Sequence, residues 1–107
     1  MPFVDIRDVA LAHLKGITVA EAANKRFLLC EGDYWIREVA AILAPKFNPK
    51  GYKVPTEDAD GEDPEPGVWC NSTRSKEVLG LEYKPMATTM CDMAESLIAT
   101  GQVTLSK

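Results

Sequence analysis

The stretch Phe3-Val4-Asp5-Ile6-Arg7-Asp8-Val9-Ala10 constrains the fold more than any other part of the chain. Val4 and Ile6 alternate onto one side of a pleat, and both are β-branched, which suits a strand. From Asp8 the period changes. Val9, Ala10, His13, Leu14 and Ile17 recur at helical spacing and mark one broad apolar face, with Asp8 placed to cap the first turn. A strand is expected to run directly into a helix here.

The rest of the chain alternates in the same way. Gly16 to Lys25 is a polar, alanine-rich connection, and Arg26-Phe27-Leu28-Leu29-Cys30 is an apolar run short enough for a buried strand. Asp33 is placed to cap a helix carrying Ile36, Val39, Ala40 and Leu43 on one face, and Pro45 is expected to end or kink that helix near Ala44. Short strands are expected at Tyr52 to Val54 and at Val68-Trp69-Cys70. Asn71-Ser72 precedes a helix over Thr73 to Leu79 that stops at Gly80. Pro85 then opens the strongest helix, with Met86, Met90, Met93, Ala94, Leu97 and Ile98 forming one apolar stripe up to Gly101. The order β-α-β-α-β-loop-β-α-α gives a fold class of α/β, a small mixed lobe of short strands alternating with helices and ending in an amphipathic helix.

Thr56 to Gly67 is rich in acid, proline and glycine and reads as a solvated loop. Asp58-Ala59-Asp60-Gly61 has the look of a calcium loop, but the spacing fails. Gly61 is fourth rather than sixth from Asp58, and the twelfth place holds Trp69 instead of a carboxylate.

Length allows one domain and no more: a chain of 107 residues buries only about two-thirds of the surface it exposes when unfolded. The net charge is −4, from 12 basic and 16 acidic residues with no basic cluster, which argues against nucleic acid and anionic lipid as partners. No apolar run approaches the ~20 residues of a membrane span, and the first residues lack the pattern of a secretory signal. Cytoplasmic placement is the expectation. Cys30, Cys70 and Cys91 are odd in number and far apart, so they read as reduced thiols and not as a disulfide frame.

Searches for chemistry return little. No glycine-rich dinucleotide turn, no G-x-S-x-G elbow and no zinc spacing is present, and the single histidine, His13, reads as a hydrogen-bonded packing residue on the apolar face. Asp5 and Asp8 are the one acid pair worth weighing. Asp5 belongs to the expected strand and Asp8 to the cap, so both read as structure, with Arg7 available to pair with either.

The run Phe3 to Ala10 with Ala12-His13 resembles the strand and helix that open the C-terminal lobe of the extended short-chain dehydrogenase/reductases, especially the branch of dihydroflavonol reductase and cinnamoyl-CoA reductase within the NAD-dependent epimerase/dehydratase superfamily. Arg26 to Leu29 is similar to the next strand of that family, Trp35 to Leu43 to its following helix, and Asn71-Ser72 with Leu79-Gly80-Leu81-Glu82-Tyr83-Lys84-Pro85 to its late landmarks. The closing helix and Gly101 continue the likeness over nearly the whole chain. The resemblance implies a single C-terminal substrate-binding lobe over residues 1–107, with the Rossmann cofactor part, its glycine-rich turn, catalytic serine and Tyr-x-x-x-Lys pair lying upstream. No such pair has moved here: Glu38, Thr56 and Ala87 stand four residues after Tyr34, Tyr52 and Tyr83.

On that resemblance the chain holds no catalytic, cofactor-binding or metal residues. Phe3 is placed at the substrate pocket, and Asp5, Asp8 and His13 in the structural motif. NADPH is expected for the parent enzyme and no cofactor for this chain alone. The expected partner is the missing Rossmann part or a second copy of the chain, which would cover an apolar surface that includes Leu11. The function implied is the substrate-side portion of a carbonyl reductase, catalytically silent by itself, with a free-standing non-enzymatic binding or assembly module as one alternative. Part of a nucleotide-sugar epimerase or dehydratase is another, disfavoured because the acidic Asp63-Pro64-Glu65-Pro66-Gly67 would repel a diphosphate.

Overall fold

A computed structural model of the protein describes residues 2–56 and 70–105. They group into two compact units, residues 2–33 with 70–85 and residues 34–56 with 86–105.

In the first unit the opening strand is only β1, Pro2–Phe3, paired antiparallel with β2, Gly32–Asp33, so that Pro2 faces Asp33 and Phe3 faces Gly32. Glu31 N–H extends this pairing by donating to the Phe3 carbonyl at 2.9 Å. The strand stops before Asp5, and Ile6, expected within it, already belongs to helix α1, Ile6–Thr18. The cap is Asp5, not Asp8. Asp5 keeps extended backbone angles (φ −69°, ψ 135°), its carboxylate accepts the Arg7 N–H at 2.8 Å, and its carbonyl accepts from Asp8 and Val9. A cap must stand half outside the helix, and Asp8 sits inside the first turn.

A 3-10 turn at Ala20–Ala22 follows α1, and residues 26–30 form no regular element and join no ladder among the described residues. Their side chains still alternate: Phe27 and Leu29 lean on a core of Ala12, Ala22, Leu79 and Leu81, while Leu28 points to solvent. Helix α2 of the chain, Ile36–Phe47, belongs to the second unit. Helix α3, Thr73–Leu79, returns to the first, where the Asn71 carboxamide accepts the Thr73 N–H at 3.0 Å. Gly80 ends α3 in the left-handed region at φ 65°, as its position in the sequence predicts.

In the second unit α2 packs with α4, Met86–Ala99. Trp35 stands at the N-cap of α2, where its N–H donates to the Glu38 carboxylate at 2.7 Å. Asp33, expected to cap, is two residues too early because it pairs in β2. The helix also passes Pro45, which lies on the exposed side, and runs on until Phe47 is buried. Tyr52 to Val54 is no strand. Asn48 holds it instead, donating to the Val54 carbonyl at 3.1 Å and accepting the Val54 N–H at 2.7 Å, while Tyr52 meets Phe47 edge to face. In α4, Met86 and Met90 are buried, whereas Met93 and Leu97 are exposed. Lys46 pairs with Glu95, and that bond holds the ammonium above its ordinary pKa.

No helix among the described residues is long and apolar enough to cross a membrane. The expected strand at Val68-Trp69, the calcium-like Asp58 to Trp69 segment and the acidic run 63–67 lie outside the described residues.

Candidate functional site

The first unit concentrates its buried polar groups where α1 meets the segment after α3. Asp8 is 4% exposed, and its carboxylate accepts the Lys84 backbone N–H at 2.9 Å across 76 residues of sequence. Asp5, equally buried, binds the Arg7 guanidinium at 2.9 and 2.7 Å as well as capping α1. Ser75 is fully enclosed. Its hydroxyl donates to the Ser72 carbonyl at 2.7 Å, so the Tyr83 hydroxyl, also at 2.7 Å, is the donor in their mutual bond. Lys76 places its ammonium 5.8 Å from the centre of the Tyr83 ring.

A serine, a tyrosine and a lysine are thus neighbours, but the arrangement does not suit proton transfer. The tyrosine proton is committed to a hydroxyl with no solvent access, and the lysine lies over the ring and not at the oxygen. A general acid needs its proton within reach of a bound substrate. The cluster is a structural tie between α3 and the chain beyond Gly80.

Beside it lies an open cavity of about 730 Å³ lined by Arg26, Phe27, Leu28, Asn71, Arg74 and Val78, among others. Arg74 reaches back to the Arg26 carbonyl at 3.3 Å. Phe3, placed by resemblance at a substrate pocket, is half-buried in β1 and is not among the lining residues. His13 is exposed and bonds through Nδ1 to the Val9 carbonyl at 2.8 Å, a contact within its own helix.

The described residues do not fit a dinucleotide by themselves. A pyrophosphate needs a glycine-rich turn opening a helix. Gly51, Gly80 and Gly101, the described glycines at positive φ, each follow the C-terminal end of a helix or 3-10 turn. Among the described residues no group of three His, Cys, Asp or Glu side chains could hold a metal ion.

The most unusual surface is on α1. Leu14 and Ile17, expected on its apolar face, are 58% and 85% exposed, and Ile6, expected in the strand, is 80% exposed beside them. Asp8 and Ala12, on the opposite side, make the buried contact. Leu11 is exposed as expected, and Leu28 is 51% exposed. An amphipathic helix ordinarily turns this stripe inward.

No family model matches the sequence. Cinnamoyl-CoA reductase 2 of Arabidopsis thaliana is 36% identical over 103 residues, which take in 96% of this chain and 30% of that protein. The crystal structure of Gre2 from Candida albicans superposes with a TM-score of 0.75 at 28% identity, covering 94% of this chain and 31% of that one. Yeast methylglyoxal/isovaleraldehyde reductase Gre2, solved with NADPH, shares the fold at TM-score 0.77 and 23% identity, over 95% of this chain and 34% of its own. The homologues of the chain are cinnamoyl-CoA reductases, Gre2 and related short-chain dehydrogenase/reductases. The chain spans about 30% of the length of the curated relatives it matches.

Asp5 caps α1, where Asp8 was expected to, and Asp8 instead takes the Lys84 N–H. Sequence reasoning missed Ser75 and Tyr83. Their spacing of eight bridges a helix end and a glycine turn, and no periodicity reports on such a pair.

Proposed function

We propose that this chain is the substrate-side portion of an NADPH-dependent carbonyl reductase and is catalytically silent until joined to the cofactor-binding part of that fold. The observation that carries this reading is the α1 stripe, Ile6, Leu14 and Ile17, held out to solvent in a chain matching less than a third of its reductase relatives. Large apolar side chains gathered on one helix face mark a surface built to be covered. The run 26–30, with Leu28 outward and no ladder on its backbone among the described residues, belongs to the same incomplete surface.

When bound in the complete enzyme, NADPH supplies the hydride that reduces the carbonyl carbon. This lobe contributes shape and contacts for the carbonyl compound. The relatives act on cinnamoyl-CoA, methylglyoxal and isovaleraldehyde, which favours an aldehyde, ketone or thioester over a sugar nucleotide.

The test is NADPH oxidation with a panel of small aldehydes, ketones and cinnamoyl-CoA, measured on the chain alone and after mixing with the separately produced cofactor-binding part of Arabidopsis cinnamoyl-CoA reductase 2. The expected result is no turnover for the chain alone and turnover in the mixture. Turnover by the chain alone overturns the proposal. So does a silent mixture in which the chain forms a stable dimer with itself through α1, which would favour a non-enzymatic module.

A further inference from the structure

The run 26–30 and helix α3 face each other across the open cavity of about 730 Å³ in the first unit. From α3 come Arg74, Glu77 and Val78, which stand at i, i+3 and i+4 and so share one side of the helix; from the run come Arg26, Phe27 and Leu28. Arg74 is held over the gap by the bond from its guanidinium to the Arg26 carbonyl at 3.3 Å. That bond leaves most of its N–H groups available, and neither guanidinium forms an ion pair with a described carboxylate, although Glu77 shares the wall. The wall therefore carries two cations against one anion, on a chain whose net charge is −4. Its apolar part is Phe27 and Val78, both half-buried, with the exposed Leu28 between them and solvent.

We propose that this cavity is a binding site for a small amphiphilic oxyanion, a carboxylate or phosphate monoester that carries an aryl or branched alkyl body. The guanidinium groups of Arg26 and Arg74 donate to the oxyanion, whose geometry their planar forks match, and Phe27, Leu28 and Val78 receive the body. Both parts of the ligand are needed. An inorganic anion alone leaves Leu28 in water, and a neutral body alone leaves two cations on one wall without a counter-ion. Glu77 on the same wall repels a second acidic group, which limits the class to compounds with a single oxyanion. The volume lies in the range of about 300–1,000 Å³ usual for small-molecule sites, so there is room for the body as well as the head. All six side chains belong to this chain, and binding is measurable without the cofactor-binding part.

The experiment titrates the isotope-labelled chain with phenyl phosphate, phenylacetate, inorganic phosphate and benzyl alcohol at fixed ionic strength and follows backbone amide shifts by nuclear magnetic resonance. The expected result is saturable shifts at residues 26–28 and 74–78 with phenyl phosphate and with phenylacetate, the tighter of the two naming the head group. Inorganic phosphate and benzyl alcohol are each expected to bind about tenfold more weakly or worse. Arg26→Gln and Arg74→Gln should each weaken both organic anions about tenfold, while Lys53→Gln, an equal loss of charge at an exposed place in the second unit, leaves them unchanged. Both arginines are exposed, so their variants keep the thermal midpoint of the unaltered chain. The proposal is overturned if neither organic anion saturates, if benzyl alcohol or inorganic phosphate binds as tightly as they do, if the shifts fall outside the two stretches, or if the arginine variants bind like the unaltered chain.

Discussion

Asp8 joins two stretches of chain that no local interaction would bring together. Its carboxylate is nearly enclosed and takes the Lys84 N–H, so Asp8→Ala leaves a buried donor without its acceptor. A loss of about 1–3 kcal/mol is expected, read as a lower urea midpoint, while Asp8→Asn, which keeps an acceptor oxygen, should lose less. Asp5 is a different case. Its guanidinium partner is half exposed, so the ion pair adds little and the capping bond carries most of its contribution. The sequence points to Asp8 as the cap, three residues after Asp5, which takes that place in the structure. What decides between them is where β1 ends, and that depends on pairing with Gly32 and Asp33. Ser75 and Tyr83 were illegible for a related reason: a buried hydroxyl pair reports on three-dimensional proximity alone.

At the level of elements, helices α1, α2, α3 and α4 all arise in the stretches that apolar spacing marks, though α1 and α2 begin on caps other than Asp8 and Asp33 and α2 runs past Pro45. The short strands fared worse. Among the described residues only β1 and β2 form, while residues 26–30 and 52–54 join no ladder, since a strand needs a neighbour that spacing cannot supply. Gly80 shows how firm a local stop can be. A Cβ there would meet nothing closer than Lys15 Nζ at 3.8 Å, so Gly80→Ala has room and suffers only from its left-handed backbone. The expected cost is about 1–2 kcal/mol, visible as a lower thermal midpoint with helix content retained by circular dichroism.

For the whole molecule, the apolar stripe of α1 links fold to function. Leu14→Glu with Ile17→Glu changes side chains that already face water, so the stability of the isolated chain should shift by no more than about 0.5 kcal/mol. On the proposed function, the same variant should fail to restore turnover when mixed with the cofactor-binding part, while the unaltered chain succeeds. If it restores turnover equally, the stripe is not the joining surface. By itself, the sequence determined that the four helices form, their stops at Gly80 and Gly101, the absence of a Tyr-x-x-x-Lys pair and the likeness to the reductases, because each is written in local spacing or in ordered landmarks. Only the tertiary structure decided that Asp5 caps α1, that Ser75 and Tyr83 interlock, and that Ile6, Leu14 and Ile17 of α1 look outward. Periodicity reveals that a helix has an apolar face. It cannot reveal what that face will meet, since burial depends on which partner surfaces the chain brings within reach.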